Sequence, residues 1–174
     1  MDRTESQEGH KWEGKVSTTV TKASADQIWS LFLDFFNLHK WFPSLSDCHG
    51  IHGKNGEVGC VRYCTGSSLS SKGTDKTGEN RPVSWSKERL VSIDPIERRL
   101  SYEMVDSNIG FTSYLSTVRV VPSNVDGEGG CAIEWSFAVD PVEGLALEDL
   151  VRKYEVGLQR MAKKMEDSLG NKIS

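Results

Sequence analysis

The feature that most constrains this chain lies near its carboxy end. From Leu145 onward the apolar spacing becomes helical. Leu147, Leu150, Val151, Tyr154, Leu158, Met161, Ala162, Met165 and Leu169 share one face over about six turns, and Gly170 is placed to end the helix. An apolar stripe of that length must be buried against something broad, and the preceding chain offers a sheet. Turn signals recur through it at Lys54-Asn55-Gly56-Glu57, at Asp94-Pro95, from Asp106 to Gly110 and from Asp126 to Gly130. Between them the spacing predicts strands over 58–65, 83–93, 97–105, 111–121 and 131–139, with a short one near 49–53. Short turns join antiparallel neighbours.

The amino-terminal part completes the order. Residues 1–10 are polar and expected to be disordered. "WEGKVSTTVT", from Trp12, is rich in Val and Thr and reads as a first strand ending near Lys22 and Ala23. Ser24 and Gln27 form a capping box ahead of "IWSLFLDFF", whose apolar residues 28, 29, 31, 32, 35 and 36 have helical spacing. Pro43 disfavours helix at Phe42, so a second short helix or turn follows. The expectation is one α+β unit over 11–174, with helices against one face of a curved antiparallel sheet and no internal repeat. The polar stretch 66–82 interrupts this order as a long loop, to be read as a lid, a binding loop or disorder.

Charge and cysteine usage exclude several classes. Lys and Arg number 21 against 25 Asp and Glu, and a net charge of −4 gives no electrostatic reason to bind nucleic acid or an anionic membrane. "MDRTESQEGHK" has no apolar signal-peptide core, and no run reaches the length of a spanning helix, so a cytoplasmic protein without membrane insertion is expected. Cys48, Cys60, Cys64 and Cys131 form no C-x-x-C pattern. Cys60 and Cys64 lie about 13 Å apart along a strand, beyond disulfide reach, so reduced thiols are expected. Asp47, Cys48, His49 and His52 match no zinc spacing, and alternation sends the two histidines to opposite faces, so no metal is assigned. No phosphate-binding, dinucleotide or nucleophile-elbow motif is present, and no cofactor is expected.

The strand faces raise one question. In "GCVRYCT", residues 59–65, Arg62 shares a face with Cys60 and Cys64. Either that face meets solvent, or a permanent charge points inward and requires a carboxylate or a strongly polar ligand. Glu88 in the next strand, with Ser84 and Ser86 on its face, is a plausible partner. A carboxylate beside an Arg in a dry pocket can move a proton while the Arg stabilises negative charge. Tyr114, with Thr112 and Ser116, makes a face more polar than packing needs; its hydroxyl meets a backbone partner or a cavity. Converging faces predict a closed cavity between sheet and long helix, lined by Tyr102, Trp135, Phe137, Tyr154 and Leu158.

Five segments carry a family resemblance: "KWEGKV" at 11–16, "NLHKWFPSLSDC" at 37–48, "VGCVRY" at 58–63, "SKERLVSID" at 86–94 and "EWSF" at 134–137. They resemble the plant lachrymatory-factor synthase branch of the Bet v 1/START-like helix-grip superfamily, which includes polyketide cyclases. The resemblance implies a seven-stranded antiparallel sheet gripping a long carboxy-terminal helix over a cavity, with two short helices after the first strand. It further implies that Arg62, Glu88 and Tyr114 carry an isomerisation of an alkenyl sulfenic acid to a thial S-oxide. A non-catalytic carrier or sensor of a small apolar metabolite or lipid is the alternative, since the fold binds ligands without catalytic residues. Abscisic-acid receptors share the fold, but their Ser-Gly-Leu-Pro-Ala gate reads "SSLSS" here, the latch region reads "NIGF", and no lysine lies between Trp41 and Gly53.

Overall fold

The computed structural model describes residues 11–67, 83–123 and 130–171. The expected disorder of 1–10, the loop residues 68–82 and the turn residues 126–129 lie outside the described residues. The elements run β1 (Trp12–Val20), α1 (Ala25–Leu33), a 3₁₀ helix (Phe35–Lys40), β2 (Leu45–His52), β3 (Val61–Ser67), β4 (Val83–Asp94), β5 (Arg99–Ser107), β6 (Leu115–Pro122), β7 (Cys131–Val139) and α2 (Leu147–Asn171). Seven antiparallel strands form one sheet in the order β1-β7-β6-β5-β4-β3-β2. This is the helix-grip architecture expected from the sequence, with α2 as the gripped helix.

Local chemistry sets the element ends. Ser24 Oγ accepts from the Gln27 amide at 3.1 Å and Gln27 Oε1 accepts from the Ser24 amide at 2.9 Å, closing the capping box of α1. Ile28, Trp29 and Phe32 of that helix are buried. Some strand ends differ from the sequence reading. β6 begins at Leu115 rather than 111 because Ser113 takes a left-handed φ of 56° that interrupts extended backbone. Arg98, at φ 53°, likewise delays β5 to Arg99. β2 begins four residues before the expected 49, at Leu45. The turn after β2 closes with the Glu57 amide donating to the Lys54 carbonyl at 3.0 Å.

The core sits between the concave sheet and α2. Every second residue of β7 (Cys131, Ile133, Trp135, Phe137 and Val139) is buried, and Leu150, Leu158, Met161, Ala162 and Met165 bury the matching stripe of α2. Each fully buried aliphatic side chain contributes about 1.5–3 kcal/mol. Glu166 fixes the far end of α2 by accepting from the Thr21 and Lys22 amides at 3.0 and 2.6 Å. Gly157 faces Phe42 so closely that a Cβ there would stand 2.6 Å from the ring. No helix among the described residues is long and apolar enough to cross a membrane.

Candidate functional site

At the β3–β5 side, the sheet and α2 do not fill the space between them. A cavity of about 100 Å³ remains, walled mainly by Phe42, Trp85, Met104, Phe111, Tyr114, Trp135 and Tyr154, with Cys64, Ser86, Glu88 and Tyr102 as polar points. It is not sealed as the sequence reading had it: exposed Lys153 and half-buried Ser44 stand at its rim and also line an outer groove with Arg152 and Arg160. Of the five residues expected to line it, Tyr102, Trp135 and Tyr154 do so. Phe137 and Leu158 are buried in the packed core beside it, where Phe137 stacks on Tyr114 and meets Tyr154 at a tilt. Periodicity gave their face correctly but carries no information on depth.

Arg62 points inward and is 3% exposed. β3 and β4 pair so that Arg62 lies directly opposite Glu88, and Cys64 opposite Ser86. Arg62 Nε and Nη2 donate to Glu88 Oε1 at 2.8 and 2.7 Å. Nη1 donates to the Phe35 carbonyl at 2.8 Å, and the guanidinium lies 3.8 Å from the Phe35 ring centroid and 4.8 Å from that of Tyr102. Ser86 Oγ donates to the other Glu88 oxygen at 2.9 Å. The charge is therefore paired and its donors are directed, which a buried ion needs. Burial works to lower the Arg62 pKa, but the adjacent Glu88 carboxylate outweighs it and the pKa rises.

The pair has two sides. Glu88 faces the cavity, whereas Arg62 borders a separate void of about 10 Å³ beneath the 3₁₀ helix. The arginine thus stands behind the carboxylate. Phe35 was the unforeseen partner: the 3₁₀ helix carries its carbonyl to the guanidinium, and no side-chain pattern marks a backbone acceptor.

Tyr114 is buried, and its hydroxyl forms a short hydrogen bond with that of Tyr154. Burial pushes the phenols of Tyr102, Tyr114 and Tyr154 up, so all three are neutral hydroxyls near neutral pH. Trp135 Nε1 donates to Ser116 Oγ at 2.6 Å, and Ser116 donates to the Ser136 carbonyl at 2.9 Å. The arrangement can hold one hydrogen-bonding group of an otherwise apolar molecule against a fixed carboxylate and tyrosine hydroxyls. Among the described residues no group of three or more potential ligands could hold a metal ion.

Known proteins share the fold and the family. Over 143 residues the chain is 27% identical to the abscisic acid receptor PYL7 of Arabidopsis thaliana, covering 80% of this chain and 62% of the receptor. Ginseng major latex-like protein 151 from Panax ginseng superimposes with a TM-score of 0.65 at 19% identity, over 90% of this chain and 97% of that one. The XoxI protein of Bacillus cereus gives 0.63 at 21% identity, over 90% and 94%. Both solved structures share the fold. The model of the polyketide cyclase / dehydrase and lipid transport family matches residues 12–166, and the chain belongs to that family.

Proposed function

We propose that the protein binds a small, mostly apolar molecule in the cavity between β3–β5 and α2, with Glu88 as its polar contact. The observation that carries this is a carboxylate held by Arg62 and Ser86 and facing a mostly apolar, aromatic-rich wall. At about 100 Å³ the cavity is smaller than the roughly 300–1,000 Å³ typical of drug-sized ligands, which favours a compact ligand over a long lipid. The family includes lipid transport in its description, and one relative is an abscisic acid receptor, so binding without chemistry fits the resemblance.

The buried pair supports a second reading, isomerisation of an alkenyl sulfenic acid to a thial S-oxide. Glu88 would take the proton from the sulfenic oxygen and deliver it to the far alkenyl carbon, while the carbon–carbon double bond becomes carbon–sulfur; no oxidant is needed. Tyr102 or Tyr114 would hold the oxygen. Arg62, one layer back, would keep the Glu88 carboxylate aimed at the cavity.

The two readings separate in one experiment. Purified protein is offered a freshly generated alkenyl sulfenic acid, with Glu88→Gln as control, while displacement of an environment-sensitive apolar dye reports binding. Catalysis predicts product that the substitution abolishes with dye affinity kept within about threefold. A carrier predicts dye binding and no product from either protein. A protein that binds no dye and forms no product would overturn both readings.

A further inference from the structure

Two thiols that neither reading of the cavity uses face each other across the β2–β3 ladder. Cys48 and Cys64 are directly opposed in the register, both are buried, and their sulfurs are hydrogen-bonded at 2.8 Å. We propose that Cys48 and Cys64 form a reversible cross-strand disulfide site, oxidised by small hydroperoxides that reach Cys64 through the cavity. Directly opposed residues of an antiparallel pair have Cα atoms about 4.5–5.5 Å apart, within the range a disulfide spans. Both side chains already point to the same face and into each other, so bridging needs no rotation of either strand. The other thiols, Cys60 and Cys131, are also buried and have no such partner among the described residues.

Cys64 lines the cavity and Cys48 lies behind it. The hydrogen bond shared with Cys64 holds the Cys48 thiol below its ordinary range against the effect of burial, with the Arg62 charge adding to the lowering. The pair can therefore lose one proton to solvent and share the other. The hydrogen bond to Cys48, then burial, push the Cys64 thiol up, so the shared proton rests on Cys64; its shift to Cys48 across the 2.8 Å contact gives the minor form with the thiolate on Cys64, which lines the cavity where the oxidant arrives. Cys64 sulfur attacks the outer peroxide oxygen, the O–O bond breaks, and the alkoxide takes a proton from solvent. Cys64 now carries a sulfenic acid. Cys48 sulfur attacks Cys64 sulfur, the S–O bond breaks, and hydroxide leaves with the Cys48 proton as water. In sum, two thiols and one hydroperoxide give a disulfide, an alcohol and water.

The test uses the natively folded protein and hydrogen peroxide, followed by alkylation, trypsin and mass spectrometry without reductant. The expected result is a loss of two of the four titratable thiols. The intact mass should fall by about 2 Da, with the peptides spanning 41–54 and 63–72 joined and separated again by dithiothreitol. Cys48→Ser and Cys64→Ser should each abolish the linked species. Should either variant fail to fold, the wild-type peptide map still decides. Retention of all four thiols, oxygenation without linkage, or a link through Cys60 or Cys131 would each overturn the proposal.

Discussion

The two halves of the sheet obey the same alternation and end in different interiors. On the β7 side the inward positions are Cys131, Ile133, Trp135, Phe137 and Val139, and all but Trp135, whose ring also walls the cavity, close into packed core. On the β3–β4 side the inward positions include Arg62, Cys64, Ser86 and Glu88, and a cavity remains. Apolar side chains can be packed to crystalline density in many ways, whereas ionised groups must keep their particular partners. The difference teaches that, in this fold, a break in apolar character on the concave face marks where the interior stays open. It also predicts that the halves respond differently to mutation.

The largest effect should come from breaking the ion pair. Arg62→Leu leaves Glu88 buried with Ser86 as its remaining partner, and should cost about 3–5 kcal/mol in urea unfolding. Adding Glu88→Gln should return most of that, because neither charge is then stranded. A single-variant cost below about 1 kcal/mol would mean that the pair is screened by water and that the two halves do not differ.

On the packed side, Leu158→Ala should cost about 2–5 kcal/mol through a cavity where α2 meets the sheet. Dye affinity should stay within about twofold, since Leu158 does not line the ligand cavity. A large loss of affinity would erase the distinction between core and site. Gly157→Ala joins the two halves: the new Cβ would sit 2.6 Å from Phe42 Cε1, so the ring must move, and that ring lines the cavity. Better helix propensity, about 1 kcal/mol, offsets the crowding, so stability should change little while dye affinity falls severalfold.

The smallest effect is alkaline. Burial first, then the Glu166 charge, pushes the Cys131 thiol from its ordinary value of 9.0 up to about 11. Between those values the unfolded chain has lost the proton that the native chain keeps, so native stability should decline as pH rises through this window. The three raised tyrosines act in the same direction above their ordinary value of 10.0. Unfolding free energies measured from pH 8.5 to 10.5 that stay level would contradict the burial of these groups.

Much of this was legible in the residues, for identifiable reasons. The stripe from Leu147 to Leu169 and the strict alternation of β7 encode faces directly, and the Ser24–Gln27 box encodes a helix start. Pairing of Arg62 with Glu88 was legible because consecutive strands are neighbours and both residues sat on faces already suspect. Cys48 and Cys64 were not. Their encounter depends on where β2 begins, and a strand expected near 49–53 leaves Cys48 outside the ladder. Depth was equally hidden: Leu158 and Phe137 point inward as read, but whether an inward side chain meets a cavity or a neighbour depends on the partner element.

The strand order has a consequence for how the chain must come together during synthesis. Strands β2 through β7 each pair with the strand just before or after them in sequence, so each can join as it is made. β1 pairs with β7 alone, from Trp12 opposite Val139 to Val20 opposite Cys131. The first strand to leave the ribosome is thus the last to find its ladder, and it waits through most of translation for a partner. Closing that long interval carries a loop-entropy cost that hairpin neighbours avoid. Pulse-labelled hydrogen exchange during refolding should accordingly protect β3–β5 amides before those of β1, and protection of β1 first would reverse this order.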